Sequence, residues 1–191
     1  MKYLLLFCIT SICWINTYAQ KFKQHIGFYT NALNIRLPFT IVGGAAVSEH
    51  VFLLGTEYSR HLSKWLHING GIEFSDHSVA ITTDNMAGYT TTRGHVQLAS
   101  IPIYFQADIL RFLYVTFGTV IDCQLKNNII KPQRGIGITG GTGFKFDLKD
   151  KTTVFIHPFY QLHGDIRSNI FQDEGAHLIN IGIRAGFNYR F

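Results

Sequence analysis

Hydrophobic and polar residues alternate along most of this chain. The closing stretch INIGIRAGFNYRF, residues 179–191, shows the pattern. Ile179, Ile181, Ile183, Ala185, Phe187, Tyr189 and Phe191 fall on one side, and Asn180, Gly182, Arg184, Gly186, Asn188 and Arg190 on the other. Successive side chains of a β-strand point to opposite faces, so this alternation predicts a strand with one apolar and one polar face. Eight such segments recur, at 22–31, 50–62, 65–79, 94–107, 111–125, 135–148, 151–164 and 176–191. β-Branched and aromatic residues dominate them, as expected of pleated, half-buried strands. No segment keeps the i, i+3, i+4 spacing of an amphipathic helix over a useful length.

The connections add a second regularity. Short links (SK at 63–64, DIL at 108–110, KD at 149–150) alternate with long ones at roughly 32–49, 80–93, 126–134 and 165–175. Hairpins with short turns at one end and long loops at the other are the layout of an outer-membrane β-barrel, short on the periplasmic side. Most segments exceed the ~9–11 residues that a tilted membrane strand needs. In lipid every backbone N–H and C=O must be paired, so the sheet must close. The sequence therefore predicts an all-β fold, an eight-stranded antiparallel up-and-down transmembrane β-barrel with both termini at the periplasmic end.

Parity assigns the faces. Ile136, Ile138, Phe144, Phe146 and Leu148 share one side of their segment; Gly137, Thr139, Gly141, Gly143, Lys145 and Asp147 share the other. At 65–79 Leu66, Ile68, Ile72 and Phe74 oppose His67, Asn69, Gly71, Glu73, Ser75 and His77. The apolar side is assigned to lipid and the polar side to the interior. The segment 151–164 fits less well, because Phe155 and Phe159 share a face with His157 and Gln161; a parity-switching bulge is expected at Pro158. Tyr58, Phe105, Phe146, Tyr189 and Phe191 gather at the short-turn end, where an aromatic girdle is expected. Glu57, Glu73, Lys145 and Arg184 face inward, and charges in a narrow lumen are costly unless paired. The expectation is an interior polar network joining Arg184 and Lys145 to Glu57 and Glu73, which would plug the lumen; the alternative is that each charge is separately hydrated.

The N-terminus refines the compartment. Met1 and Lys2, the apolar run YLLLFCITSICWI and the small residues Thr17 and Ala19 read as a cleaved signal peptide over 1–19, leaving 20–191 as the barrel domain. The apolar run is short of the ~20 residues of a spanning helix. Removing the signal would take Cys8 and Cys13, leaving Cys123 without an intramolecular partner. The formal charge of +5, one less without Lys2, is too weak to argue for nucleic acid. Mean hydropathy of +0.12 with only 15% charged residues, and no apolar run of spanning length after residue 20, means that the apolar residues are dispersed by alternation.

These residues carry a resemblance. The signal ending at Ala19-Gln20, the alternating strands, the stretch LASIPIYFQADILRFLYVTFG and the terminal FNYRF resemble the small outer-membrane barrel proteins of Bacteroidetes called PorT-like. The architecture is similar to the eight-stranded barrels of the OmpA and OmpX type. The resemblance implies a place and a shape more than an activity. It also implies that the last strand, with Phe187, Tyr189 and Phe191, is the signal read by the barrel-assembly machinery. The partners expected are that machinery, outer-membrane lipids and lipopolysaccharide, for a monomeric protein of the cell outer membrane.

Catalytic motifs are missing from the sequence: there is no Gly-x-Ser-x-Gly, Cys-x-x-Cys, His-Glu-x-x-His or phosphate-binding glycine loop. GIGITGGTG lies within an alternating strand, where its glycines allow close packing or curvature. SDHS at 75–78 and HGDIRS at 163–168 offer the residue types of a lipid-modifying enzyme without its geometry. His50, His77, His95, His163 and His177 fall at the long-loop ends of their strands, with His77 and His163 pointing inward and His95 outward. His77 and His163 are weak candidates for a metal site, since no tight ligand pair is present. No cofactor is expected. The reading is an outer-membrane barrel, porin-like in architecture but with a plugged polar interior, with a structural, adhesive or accessory envelope role. The alternatives are a lipid-modifying enzyme on the same barrel and a soluble secreted lipocalin-like ligand binder.

Overall fold

The computed structural model describes residues 24–35, 38–41, 44–85, 88–127, 135–163 and 178–191. The predicted signal at 1–19, His177, the 165–175 connection and most of the 126–134 connection lie outside the described residues. The strands are β1 (Gln24–Ile35), β2 (Pro38–Ile41), β3 (Gly44–His61), β4 (Leu66–Asn85), β5 (Gly88–Asp108), β6 (Leu113–Asn127), β7 (Gly135–Lys149), β8 (Thr152–Leu162) and β9 (Ile179–Arg190).

From β3 to β9 each strand pairs antiparallel with its neighbour in sequence. β1 pairs with β9 on one side and with β3 on the other, and so closes the sheet. β2 adds only to the far end of β3, Gly44–Val47, outside the ring. The ring is thus an eight-stranded antiparallel barrel, β1 with β3–β9. The three short turns stand at one end, with Leu62 N donating to Leu66 O at 2.8 Å and Ile109 N to Leu113 O at 3.0 Å.

Two of the expected long loops are instead largely strand. β4 runs to Asn85 and β5 starts at Gly88, so 80–93 is a ladder; at the other site β1 reaches Ile35 and β3 begins at Gly44. Both-sided polarity hid the first of these strands. Thr82, Thr83 and Thr90–Thr92 are β-branched and suit a pleated ribbon, but they give no apolar alternation. Thr82 and Thr91 face each other across it with their hydroxyl oxygens 3.1 Å apart.

The bulge expected at Pro158 is absent. β8 pairs with β9 without a register shift from Thr152↔Tyr189 to Leu162↔Ile179. Phe155 and Phe159 therefore keep the parity of His157 and Gln161, and all four are buried inside the ring. Phe155 and Phe159 join Tyr29, Leu53 and Tyr114 in an interior apolar cluster.

The polarity of the wall is the reverse of a water-soluble barrel. Ile72 (67% exposed), Phe117 (70%), Phe28, Phe52, Leu54, Ile101, Ile103, Phe144 and Ile156 point outward, while Glu57, Glu73, Asn69, His77, Gln161, Asn180 and Arg184 are buried inside. Tyr58, Phe105, Phe146, Tyr189 and Phe191 are exposed on the outside near the short turns.

Candidate functional site: the buried polar interior

Eight closed strands leave an interior just wide enough for side chains. Here the filling follows a rule visible in the ladders: a large inward side chain faces an inward glycine on the next strand. Tyr29 lies opposite Gly55 on one side and Gly186 on the other. Tyr104 faces Gly118, Tyr114 faces Gly143, and Phe159 faces Gly141 and Gly182. A Cβ at Gly55 would run into the Tyr29 ring, and one at Gly143 into the Tyr114 ring. Two glycines of GIGITGGTG, Gly141 and Gly143, thus stand opposite inward aromatic residues, in keeping with the alternation of small and large residues inside small barrels.

Arg184 stands at the centre, with Gly182 and Gly186 before and after it on the inward face of β9. Its Nη2 is 2.8 Å from Glu73 Oε2, and both side chains are essentially sealed from solvent. Gln161 braces the pair: its Oε1 accepts from Arg184 Nη2, and its Nε2 donates to Glu73 Oε1 at 3.1 Å. Tyr29 OH donates to Glu73 Oε2 at 3.1 Å. The guanidinium lies over the Phe159 ring, 3.9 Å from its centroid, a cation–π contact strengthened by the exclusion of water. Each charge is thus paired and hydrogen-bonded, the condition under which a buried ion pair is tolerable.

Toward the long-loop end the polar chain continues. Gln161 Nε2 is 3.2 Å from His163 Nε2, His163 Nδ1 is 3.0 Å from Asp122 Oδ2, and Ser100 Oγ donates to Asp122 Oδ1 at 2.6 Å. Val51, Leu53, Val79, Val96, Leu98, Val120 and Leu178 fill the space around it. Toward the short turns, Tyr104 OH donates to Glu57 Oε2, and Lys145 Nζ reaches Asp108 Oδ2 at 2.5 Å. His67 Nε2 also meets Asp108 Oδ2, at 3.0 Å, and the His61 and His25 rings stack beyond it at the mouth. A space of about 30 Å³ remains between Glu57, Tyr114, Lys145, His157 and Asn188, about enough for one water.

Of the four charges expected in one network, Arg184 and Glu73 meet directly. Lys145 does not join them: its ion pair is with Asp108, at the end of β5. Glu57 is capped by a tyrosine hydroxyl. Tilt and register set which inward residues share a level, and Lys145 lies nearer the short turns than Glu73. Parity alone placed these residues inside; it carried no information about Tyr29, Tyr104, Asp108, Asp122 and Gln161 as partners.

The remaining candidates separate in space. His77 and His163 are both buried, edge to face with ring centroids 5.8 Å apart, and His77 Nε2 bonds Ser75 Oγ at 3.0 Å. Among the described residues no group of three or more His, Cys, Asp or Glu is placed to hold a metal ion. SDHS is split by strand parity: Ser75 and His77 are buried inside, whereas Asp76 and Ser78 line a recess outside. Phe187, Tyr189 and Phe191 are exposed on the outer wall, and Phe191 N donates to Gln24 O at 3.2 Å.

No family model matches the chain, and no curated protein matches it. Solved structures similar to it include the outer membrane protein Ail of Yersinia pestis in a phospholipid bilayer nanodisc, at 11% identity over 88% of this chain and 99% of that one, with a TM-score of 0.46. Another is the translocator domain of the autotransporter NalP from Neisseria meningitidis, at 8% identity over 95% and 94% of the two chains, with a TM-score of 0.38. Neither is described as PorT-like. The barrel assignment rests on the chain's own closed ladders.

Proposed function

We propose that this chain is an integral outer-membrane β-barrel with a filled, non-conducting interior, whose role is structural, adhesive or accessory to another envelope system. The observation that carries the reading is the reversed polarity of the wall, with Ile72, Phe117 and Ile103 outside and Glu73, Arg184 and Gln161 inside. In water that exterior would be one continuous apolar belt, far larger than soluble monomers expose. In a bilayer it meets lipid, and the closed ring leaves no free sheet edge against hydrocarbon, asparagine side chains continuing the pairing where the β1–β3 ladder ends. The lipocalin-like alternative needs the opposite orientation of the two faces. A porin-like lumen needs continuous water, whereas Glu73, Gln161, His163, Leu53 and Leu98 are sealed from solvent. Tyr189 and Phe191 are read as girdle residues and, with Phe187, as the assembly signal.

Two measurements on protein reconstituted in lipid vesicles and planar bilayers test this reading. Ile72→Arg should destabilise the bilayer-inserted barrel by about 2–4 kcal/mol, the cost of a charge on the lipid face near the midplane. Planar bilayers should show no unitary conductance. A neutral Ile72→Arg would remove the membrane placement, and discrete channel currents would remove the plug.

A further inference from the structure

Among the described residues the wall has a weak seam. The β1–β3 ladder that closes the barrel runs from Gln24↔Arg60 to Thr30↔Leu54 and stops there. Beyond it, side chains take over from the backbone. Asn31 Nδ2 and Asn34 Nδ2 both donate to Val51 O at 2.5 Å, and Asn31 Oδ1 accepts from Leu53 N at 2.8 Å. On its other edge β1 bulges against β9 between Asn31 and Leu33. Two asparagines thus satisfy groups that a lipid-facing edge would leave unpaired, and they let β1 part from β3 without exposing them.

A recess of about 700 Å³ lies along this seam on the outward side, in the size range of small-molecule sites. It is two-toned. Leu33, Phe52 and Phe74 form an apolar part; His50, Asp76, Ser78, His95 and Gln97 form a polar one. The polar part is built: Gln97 Nε2 donates to Asp76 Oδ2 at 3.1 Å, and His95 Nδ1 lies 3.4 Å from Asp76 Oδ1. Going up the outward faces from the aromatic end, β3 passes Leu54 and Phe52 before His50, β4 passes Ile72 and Phe74 before Asp76 and Ser78, and β5 passes Ile103 and Ile101 before Gln97 and His95. The change from apolar to polar occurs on three adjoining strands together, at the end away from the short turns.

We propose that this seam is a binding site for one acyl lipid of the outer leaflet, with a chain against Leu33, Phe52 and Phe74 and the carbonyl and headgroup region against Asp76, His95 and Gln97. The inference rests on the membrane placement proposed above, because at that depth and on that face lipid is the molecule present. The recess matches its two ends in the order in which a leaflet presents them, hydrocarbon toward the midplane and polar groups toward the surface. A hydroxyl, amide or phosphoryl oxygen of the headgroup would find donors in Gln97 and the two exposed imidazoles.

Photo-crosslinking decides it. The full mature chain is reconstituted in phosphatidylcholine vesicles containing a phosphatidylcholine with a diazirine on one acyl chain, and labelled peptides are mapped after photolysis. The site predicts labelling of 31–34, 50–54 and 72–76 about tenfold above outward positions such as Ile138 and Ile156, corresponding to a preference near 1.4 kcal/mol. Ser78→Trp, which fills the recess from its rim, should bring that labelling down to the level of the rest of the wall while the heat-modifiable gel shift persists. If that variant does not fold, Leu33→Trp replaces it with the same expectation. Equal labelling all around the wall, or enrichment that survives a folded filling variant, overturns the site. No labelling anywhere instead removes the membrane placement on which it stands.

Discussion

Arg184 on β9 and Glu73 on β4 meet across the barrel, with Nη2 2.8 Å from Oε2, although β1 and β3 lie between their strands in the wall. Breaking a buried pair by removing one partner leaves an uncompensated charge and costs about 3–5 kcal/mol. Arg184→Met and Glu73→Gln should each lower unfolding stability in detergent micelles by that order, whereas Arg190→Met, near the end of β9 and outside this ion pair, should cost clearly less. The double variant Glu73→Gln/Arg184→Met should cost clearly less than the sum of the singles, because it leaves no orphaned charge. Urea titrations that place all four variants at one midpoint would show the pair to be energetically idle.

The glycine seats make a sharper packing test. A Cβ at Gly118 would strike Ile103 O and the Tyr104 backbone, neither of which can swing aside as a side-chain tip can. At Gly70 the nearest atom to an added Cβ is Pro102 O at 3.9 Å, an ordinary contact. Gly118→Ala should therefore destabilise by about 1–3 kcal/mol, as overpacking does. Gly70→Ala should change stability by less than about 0.5 kcal/mol. Thermal loss of the compact gel form, compared for the two variants, reads the difference directly; equal shifts would mean that the wall yields at Gly118.

Phe191 ends the last strand on the outer wall, tied back by its N–H to Gln24 O. It adds one exposed ring to the outward aromatics near the short turns, Tyr58, Phe105, Phe146 and Tyr189. Deleting it should leave refolding into detergent unchanged while reducing the fraction inserted in the outer membrane of living cells. Full insertion in cells would remove Phe191 from the assembly signal without touching the barrel.

Much of the architecture was legible because strand periodicity is two, and alternation then reports both the element and its faces. The short turns, the ring of eight strands and the outward aromatics all follow from that one regularity. It failed where its own signal vanished. The threonine-rich ribbon after Val79 is strand with little apolar contrast, and the 151–164 segment carries large rings on its inner face. Alternation alone does not account for Phe155 and Phe159 on that face; inward glycines at 186, 141 and 182 on the neighbouring strands make room for them.

By itself, then, the sequence determined the central segments of the eight ring strands, the greasy side of most of them, and that Glu57, Glu73, Lys145 and Arg184 share the other side. Only the tertiary structure decided who meets whom. Closing the sheet fixes a tilt and a register, and these bring Arg184 to Glu73 and Gln161, send Lys145 to Asp108, and leave a seam at Asn31 and Asn34 where β1 parts from β3. Parity is a local property of the backbone. The level at which two inward side chains meet depends on the stagger of every ladder around the ring, and no single strand carries that information.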